Sequence, residues 1–238
     1  MTSIAAFILG ALISLPALAF RLDPMVAELA PSGNGSSKVF RVENNGQERI
    51  AVQLKVTTRE IDAKGAETRR DSKDFSIFPE QLSLGPNDTR NVRVTYNGTK
   101  DVASEVSYRL IATQLPVDFK AEKKQAQLNF LFQYVASLYV TPPQALAKLE
   151  VRKIEAAGPK KLIITIANIG TGHRLMKDVK LKLVTEAGET IHLQESSYKS
   201  WPGENLLAGA VRDFELETTE NLPAKSKIKA DLLIETQP

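Results

Sequence analysis

The chain is built from short runs in which apolar and polar residues alternate, separated by residues that favour turns. Residues 50–56 read Ile-Ala-Val-Gln-Leu-Lys-Val. A period of two places alternate side chains on the same face of a β-strand. Runs that recur every eight to twelve residues or so indicate an all-β fold, here two β-sandwich domains in tandem. The predicted strands cover residues 38–42, 50–57, 91–96, 107–115, 128–140, 149–154, 161–167, 179–184, 189–193, 211–216 and 228–235.

A proline pair interrupts this pattern near the middle of the chain, at Thr141-Pro142-Pro143. Proline cannot donate to a sheet ladder, and it stiffens the segment that it joins. We therefore expect a first domain over residues 20–141 and a second over residues 142–238.

The first residues predict an export signal. Residues 4–18 are almost wholly apolar and end at Ala17-Leu18-Ala19, where small residues suit signal peptidase. We expect residues 1–19 to be a cleavable signal peptide and the mature protein to reach the periplasm. The alternative is that the segment is retained as an N-terminal anchor helix.

The amino-acid composition limits the kinds of binding and catalytic site that the chain can hold. The chain has 31 Lys and Arg against 28 Asp and Glu, a net charge of +3, which is too weak to indicate nucleic-acid binding. It has no cysteine and two histidines, which argues against a metal site or a thiol nucleophile. No assembled catalytic motif is present, so we predict a protein that is not an enzyme and uses no cofactor. His173 and Trp201 fall in turns, which favours an exposed histidine and a peripheral aromatic.

The most informative segment is a stripe on the longest predicted strand, where every second residue is apolar or aromatic. Its opposite face also carries Leu131 and Val135, so both faces of the strand need cover. The stripe therefore either fills the domain's own core or binds a partner. Its residues are Ala126, Leu128, Phe130, Phe132 and Tyr134.

Several motifs of the first half resemble the periplasmic pilus-assembly chaperones, the PapD-like family of the chaperone–usher pathway. They are Phe78-Pro79 with the turn and strand at 82–94, the strand at 107–116, which ends in Leu-Pro, and the segment 128–142. In the second half, Asn168 and the turn at 206–209 are similar to the family's pattern more weakly. A Tyr-Arg-hydrophobic run at 108–110 resembles the archaic and alternative branches.

The resemblance implies two immunoglobulin-like domains in a boomerang shape and a non-catalytic chaperone. Such chaperones lend a strand to incomplete pilus subunits and deliver them to an outer-membrane usher; chaperone–pilin complementation is a standard example of strand addition. Here residues 126–140 would be the donor strand, with Leu128, Phe130 and Phe132 as plugs and Ala126 and Tyr134 at the ends. The free protein would hide this edge by self-association or with its charged loop at 117–125.

The resemblance also implies an anchor for the subunit's terminal carboxylate, which conventional members build from an Arg and a Lys. Those positions fall near Val26 and at Ser137, and neither is cationic. Arg109 is the best substitute, because its strand should lie beside the donor strand; Arg21 and Arg93 are weaker candidates. Arg109 could equally be a surface residue at the rim of the domain.

The alternative function is a secreted structural or adhesive protein of two sandwich domains. In that case the stripe is ordinary core rather than a binding surface.

Overall fold

The computed structural model describes residues 20–117, 130–222 and 227–234 of the chain. The expected signal peptide and most of the loop at 117–125 lie outside these residues. Among the described residues, no helix has the length and apolar character that crossing a membrane requires.

The strands are short and are numbered in chain order. They are β1 (Phe20–Asp23), β2 (Val26–Leu29), β3 (Ser37–Asn44), β4 (Ile50–Thr58), β5 (Glu60–Ile61), β6 (Glu67–Thr68), β7 (Phe75–Phe78), β8 (Gln81–Leu84), β9 (Thr89–Tyr96), β10 (Val106–Leu115), β11 (Gln133–Val140), β12 (Leu149–Gly158), β13 (Lys161–Asn168), β14 (Arg174–Leu175), β15 (Val179–Thr185), β16 (Thr190–Ile191), β17 (Asn205–Leu206), β18 (Val211–Glu217) and β19 (Ile228–Ile234). Single-turn 3₁₀ helices occupy Gly33–Ser36, Met176–Asp178, Glu195–Tyr198 and Trp201–Gly203. The predicted all-β class is confirmed.

Two sheets enclose the first core. One has the strand order β1-β3-β9-β7 and the other β2-β11-β10-β4-β8. Alternation fixes which side chains enter the core: on β3, Phe40 and Val42 are fully buried, while Val39 and Arg41, which alternate with them, face solvent. The core joins buried residues from both sheets, as in a β-sandwich.

A second core lies between the sheet β12-β13-β18 and the sheet β16-β15-β19. Its centre includes Ile164, Leu183 and Trp201. Trp201 was expected at the periphery, but its ring lies 5.0 Å from that of Phe214 and only 2% of the residue is exposed. The 3₁₀ turn at Trp201–Gly203 folds the indole inward, which a turn residue does not reveal in sequence. The expected boundary between residues 141 and 142 stays a prediction.

β11 is shorter than the strand expected over residues 128–140. Its ladder with β10 ends at the pair Thr113↔Gln133, followed by one further hydrogen bond from Gln114 N to Phe132 O (2.9 Å). β10 itself ends at Leu115, before Pro116, which has no N–H to donate. The chain before Gln133 therefore runs past the end of its partner.

A buried asparagine closes the first core where β3 ends. Asn44 Nδ2 donates to the carbonyl oxygens of Glu48 (2.7 Å) and Gly85 (2.8 Å). Its Oδ1 accepts from the backbone N–H of Gly46 (3.0 Å). One side chain thus satisfies backbone groups of two loops.

Asn168 does the same for the second core, where β13 ends. Its Nδ2 donates to the carbonyl oxygens of Gly172 (2.7 Å) and Leu206 (3.1 Å). Its Oδ1 accepts from the N–H groups of Gly170 (3.0 Å) and Lys148 (3.1 Å). Both cores therefore use a single amide as donor and acceptor, which no charged or aliphatic side chain can replace.

Replacing Asn168 with Ala should lower the free energy of unfolding of the second core by about 2–3 kcal/mol, because buried backbone groups lose their partners. Urea unfolding followed by the fluorescence of Trp201, the chain's single tryptophan, measures this directly. The control is Asn97→Ala, which removes an exposed side-chain contact to Ser76 and should change stability by less than about 0.5 kcal/mol. Equal effects of the two substitutions would contradict the assignment.

Candidate functional site

The described part of the stripe changes character along the chain. Phe130 is 70% exposed, whereas Phe132 and Tyr134 are partly buried and pack against the first core. The ring of Tyr134 meets that of Phe20 edge to face at 4.8 Å. Ala126 and Leu128 lie outside the described residues. The predicted stripe thus has a free aromatic at Phe130 and a half-packed end toward β11.

The register of β11 is set by its core face. Ala136, Leu138 and Val140 are fully buried, so a slip of one residue would turn all three toward solvent. The opposite face of β11 carries Val135, Ser137 and Tyr139. This face is the one on which the anchor was expected.

The two positions where conventional family members carry cations are neighbours in the sheet. Ser137 pairs with Val26 on the parallel strand β2 and with Arg109 on the antiparallel strand β10. Arg109 in turn pairs with Thr57 on β4. Paired residues project from the same face of a sheet. Arg109 therefore lies one strand from Ser137 and two strands from Val26, the positions that the resemblance assigns to cations, while Arg21 and Arg93 lie on strands of the other sheet.

Arg109 is held by three hydrogen bonds, and its side chain is only 15% exposed. Its Nη1 donates to Ser137 Oγ at 2.6 Å. Its Nε and Nη2 donate to the two carboxylate oxygens of Glu67 at 3.0 and 2.5 Å. This is the forked geometry that guanidinium groups form with carboxylates. These bonds hold Arg109 within its own domain, and its role as the anchor stays a prediction.

Glu67 also receives two further arginines. Arg59 Nε donates to one of its oxygens at 2.9 Å, and Arg69 Nε to the other at 2.5 Å. Burial alone would raise the pKa of Glu67, but the hydrogen bonds from Arg109 and Arg69 and the charges of Arg109 and Arg59 outweigh it. The pKa falls from an ordinary value of 4.5 to about 2. We call Arg59, Arg69, Arg109 and Glu67 the arginine cluster.

The hairpin β5–β6, which carries Glu67, also reaches the second sandwich. The N–H of Asp213 donates to the carbonyl oxygen of Ala63 at 2.8 Å. At the tip, Gly65 has a φ of +91°, and a Cβ there would lie 2.5 Å from Arg212 Nη2. Only glycine suits that turn and that contact. The hairpin therefore links the arginine cluster to the second core.

Tyr139 forms a second link beside the cluster. Its hydroxyl oxygen accepts from Arg59 Nη1 (3.1 Å) and from Asn205 Nδ2 (2.7 Å) of the second sandwich. His173, expected to be exposed, stacks on the Tyr139 ring at 4.1 Å and shares a 2.7 Å hydrogen bond with the buried carboxylate of Glu105. The turn that carries His173 packs against the first sandwich, which local sequence could not reveal.

Sequence reasoning found Arg109 and missed Arg59, Glu67 and Arg69. The hydrogen bond between Arg109 and Glu67 spans 42 positions of the chain. It depends on the pairing of β4 with β10 and on the hairpin that follows β4. The available signal was a lone glutamate two residues before an Arg-Arg pair, which is common on solvated surfaces.

Comparison with known proteins identifies the scaffold on which this site is built. Residues 29–146 match the family model described as pili and flagellar-assembly chaperone, PapD N-terminal domain. This span runs from the end of β2 beyond β11 and contains the whole arginine cluster. The chain belongs to the PapD-like chaperones. This is a family of chaperones rather than of enzymes.

Solved structures share the fold of this PapD-like chaperone at low identity. The class 5 fimbriae chaperone CfaA is 16% identical with a TM-score of 0.58, over 92% of this chain and 100% of that one. A chain of the CsuC–CsuE chaperone–tip adhesion subunit pre-assembly complex, from archaic chaperone–usher Csu pili of Acinetobacter baumannii, is 14% identical with a TM-score of 0.54, over 82% of this chain and 89% of that one.

A chain of the Salmonella enterica SafA pilin complex with the SafB chaperone is 13% identical with a TM-score of 0.54, over 93% of this chain and 99% of that one. No curated protein matches the chain in sequence. The described residues of this PapD-like chaperone thus share the two-domain immunoglobulin-like fold of these structures.

The low pKa of Glu67 predicts an acid-sensitive contribution to stability. A lowered folded-state pKa stabilises the protein above pH 4.5 or so, and this stabilisation is lost as the pH falls through about 2. Because solvent reaches part of the cluster, we expect about 1–2 kcal/mol. Glu67→Gln should therefore be less stable than wild type at neutral pH, and denaturant unfolding should show the gap closing in acid. A gap that persists at about pH 2 would contradict the ion-pair origin.

Proposed function

We propose that this PapD-like chaperone captures pilus subunits in the periplasm by lending them residues 126–140 as a donor strand, and delivers them to an outer-membrane usher. The observation that carries the proposal is Phe130, a large aromatic that is 70% exposed in the predicted stripe. Leu131 beside it is also exposed. Free apolar side chains at a strand end are an aggregation hazard unless a partner covers them.

The backbone around Phe130 supports strand addition. β10 ends at Leu115, and the last backbone contact between the two segments is from Gln114 N to Phe132 O. Phe130 and Leu131 thus lie beyond the last hydrogen bond with β10, where their N–H and C=O groups can pair with another chain. Main-chain hydrogen bonds would supply affinity, and alternate side chains would fill pockets of the partner.

The choice of partner is supported by the complexes that share this fold. The CsuC–CsuE structure holds a tip adhesion subunit, and the SafA–SafB structure holds a pilin. We infer that the partner here is likewise a pilus subunit, and that this protein stands nearest in kind to the archaic and alternative branches.

We infer further that Arg109 receives the subunit's terminal carboxylate. Arg109 pairs with Ser137 in the sheet, and Ser137 pairs with Val26 on its other side. Ser137 and Val26 are the positions assigned to the conventional cations and both are neutral, so Arg109 is the cation next to them. A carboxylate buried in the complex requires a cation, because an unpaired buried charge is strongly unfavourable. Arg109 can meet it with the same forked geometry that it uses toward Glu67.

One observation favours the alternative, a secreted structural or adhesive protein. Phe132 and Tyr134 pack against the first core in the described structure, as stripe residues would if the strand were ordinary core. The exposure of Phe130 opposes this reading. The two functions differ in what a charge at Phe130 would do.

Replacing Phe130 with Asp should leave the fold intact and reduce capture of the subunit at least about tenfold, because a buried apolar contact is replaced by a charge. The measurement is a pull-down of tagged protein from its host's periplasm, with bound species identified by mass spectrometry. Phe78→Asp is the matched control, since Phe78 is 80% exposed on a strand of the other sheet. Loss of folding in Phe130→Asp, or retained capture, would contradict the donor-strand proposal.

Arg109→Ala should lower the yield of captured subunit about tenfold or more, because the terminal carboxylate loses its forked partner. Arg70→Ala is the control: Arg70 pairs with Glu60 at the exposed side of the hairpin. The readout is periplasmic subunit yield at matched chaperone levels. An unchanged yield would exclude Arg109 as the anchor.

A further inference from the structure

In the arginine cluster, the carboxylate of Glu67 is surrounded by guanidinium groups in the way that a bound carboxylate ligand would be. Three guanidinium groups surround one carboxyl group, so these four side chains carry three positive charges and one negative charge, a balance of +2. The side chains of Glu67 and Arg59 are 16% and 7% exposed, so these charges lie largely out of water, whereas the side chain of Arg69 is 36% exposed and opens the cluster to solvent. An excess of buried positive charge favours the binding of any carboxylate that reaches it.

The carboxylate in the cluster belongs to a weakly paired element. The hairpin has two register pairs, Glu60↔Thr68 and Ile61↔Glu67. A two-stranded hairpin of this size is marginal by itself. It is held in place by the contacts of Ala63 and Gly65 with the second sandwich, by the arginines at Glu67 and, at its base, by backbone hydrogen bonds such as Thr58 N to Arg70 O (2.8 Å). Loss of the Glu67 contacts would therefore remove one of the few tethers of the hairpin.

The face of the sheet that carries Arg109 also carries hydroxyl groups, and one of them makes no hydrogen bond within the described residues. Thr57 pairs with Arg109 in the sheet and so lies on the same face. Its hydroxyl is buried, and among the described residues it has no hydrogen-bond partner. Ser137, on the other side of Arg109, presents a second hydroxyl. An unpaired buried hydroxyl beside a guanidinium group suits a ligand with a second oxygen to share.

We propose that Arg59, Arg69 and Arg109 form a carboxylate-binding site that Glu67 fills in the free protein, and that the partner's terminal carboxylate binds there by displacing Glu67. This inference rests on the proposed function for Arg109. It adds Arg59 and Arg69 to the site. It also means that Glu67, on the hairpin, competes with the partner for the three arginines and is displaced only by a partner with a free carboxylate.

Competition predicts that removing the resident charge strengthens binding of an external carboxylate. The probe is the tripeptide acetyl-Ala-Val-Tyr with a free terminal carboxylate, compared with its terminal amide. Binding is followed through the side-chain Nε–H resonances of the arginines. Glu67→Gln should bind the carboxylate peptide about tenfold more tightly than wild type does, as expected when a charged hydrogen-bond acceptor no longer competes. The amide peptide should show no such gain.

Two variants separate competition from a general charge effect. Glu60→Gln removes one negative charge from the same hairpin, at an exposed pair with Arg70, and should leave the affinity for the peptide unchanged. Adding Arg109→Gln to Glu67→Gln should abolish the gain. An unchanged or weaker affinity in folded Glu67→Gln would overturn the proposal and leave Glu67 as a residue that positions Arg109.

Hydrogen exchange of the wild-type protein provides a test that does not depend on the variant folding. The N–H of Asp62 donates to Ala66 O, and the N–H of Thr58 to Arg70 O, so both report on the hairpin. Saturation with the carboxylate peptide should speed exchange at these sites, and the amide peptide should not. Slower exchange would show that the ligand closes the hairpin rather than displacing it. Because neither measurement uses a pilus subunit, failure here with loss of capture in Phe130→Asp would overturn this inference alone.

Discussion

The fixed register of β11 is the constraint on which the rest of the site depends. Ala136, Leu138 and Val140 point into the first core, so Ser137 must face outward beside Arg109. The same strand pairs with β2 over residues 137–140 and with β10 as far as Gln133. Before that residue the support ends, and Phe130 is left in solvent. One alternating segment thus serves first as a free edge and then as a central core strand.

The arginine cluster supplies a charged group beside β11, just as Phe130 supplies an exposed apolar one before it. Bringing three guanidinium groups together is unfavourable unless a carboxylate joins them, and Glu67 supplies it from a hairpin rather than from the sheet. The same hairpin contacts the second sandwich through Ala63 and Gly65. One short element therefore supplies both the counter-charge of the arginine cluster and one of the links between the two sandwiches.

The sequence could predict what is periodic. Alternation located most strands and the stripe, because these follow from a period of two, and the family resemblance placed the strand of Arg109 beside the strand that is β11. It could not locate Glu67, whose contact with Arg109 exists only after β4 pairs with β10 and the chain turns back. It also misplaced His173 and Trp201, since a turn looks solvent-exposed in sequence even when tertiary packing covers it. The predicted strand over 128–140 was too long for a related reason: residues 130–132 are not in β11, because the end of a ladder is set by the partner strand.

The spacing along the chain between Phe130 and Ser137, which lies beside Arg109, also restricts which partners can bind both. Phe130 lies three residues before β11 begins, and Ser137, beside Arg109, and Tyr139 follow on β11 itself. Seven residues of extended chain separate Phe130 from Ser137, a span of at most about 25 Å. A partner that uses both ends must present its apolar pocket and its carboxylate at that spacing, whatever its sequence. Length, and not only chemical complementarity, thereby becomes a criterion for which chains this surface accepts.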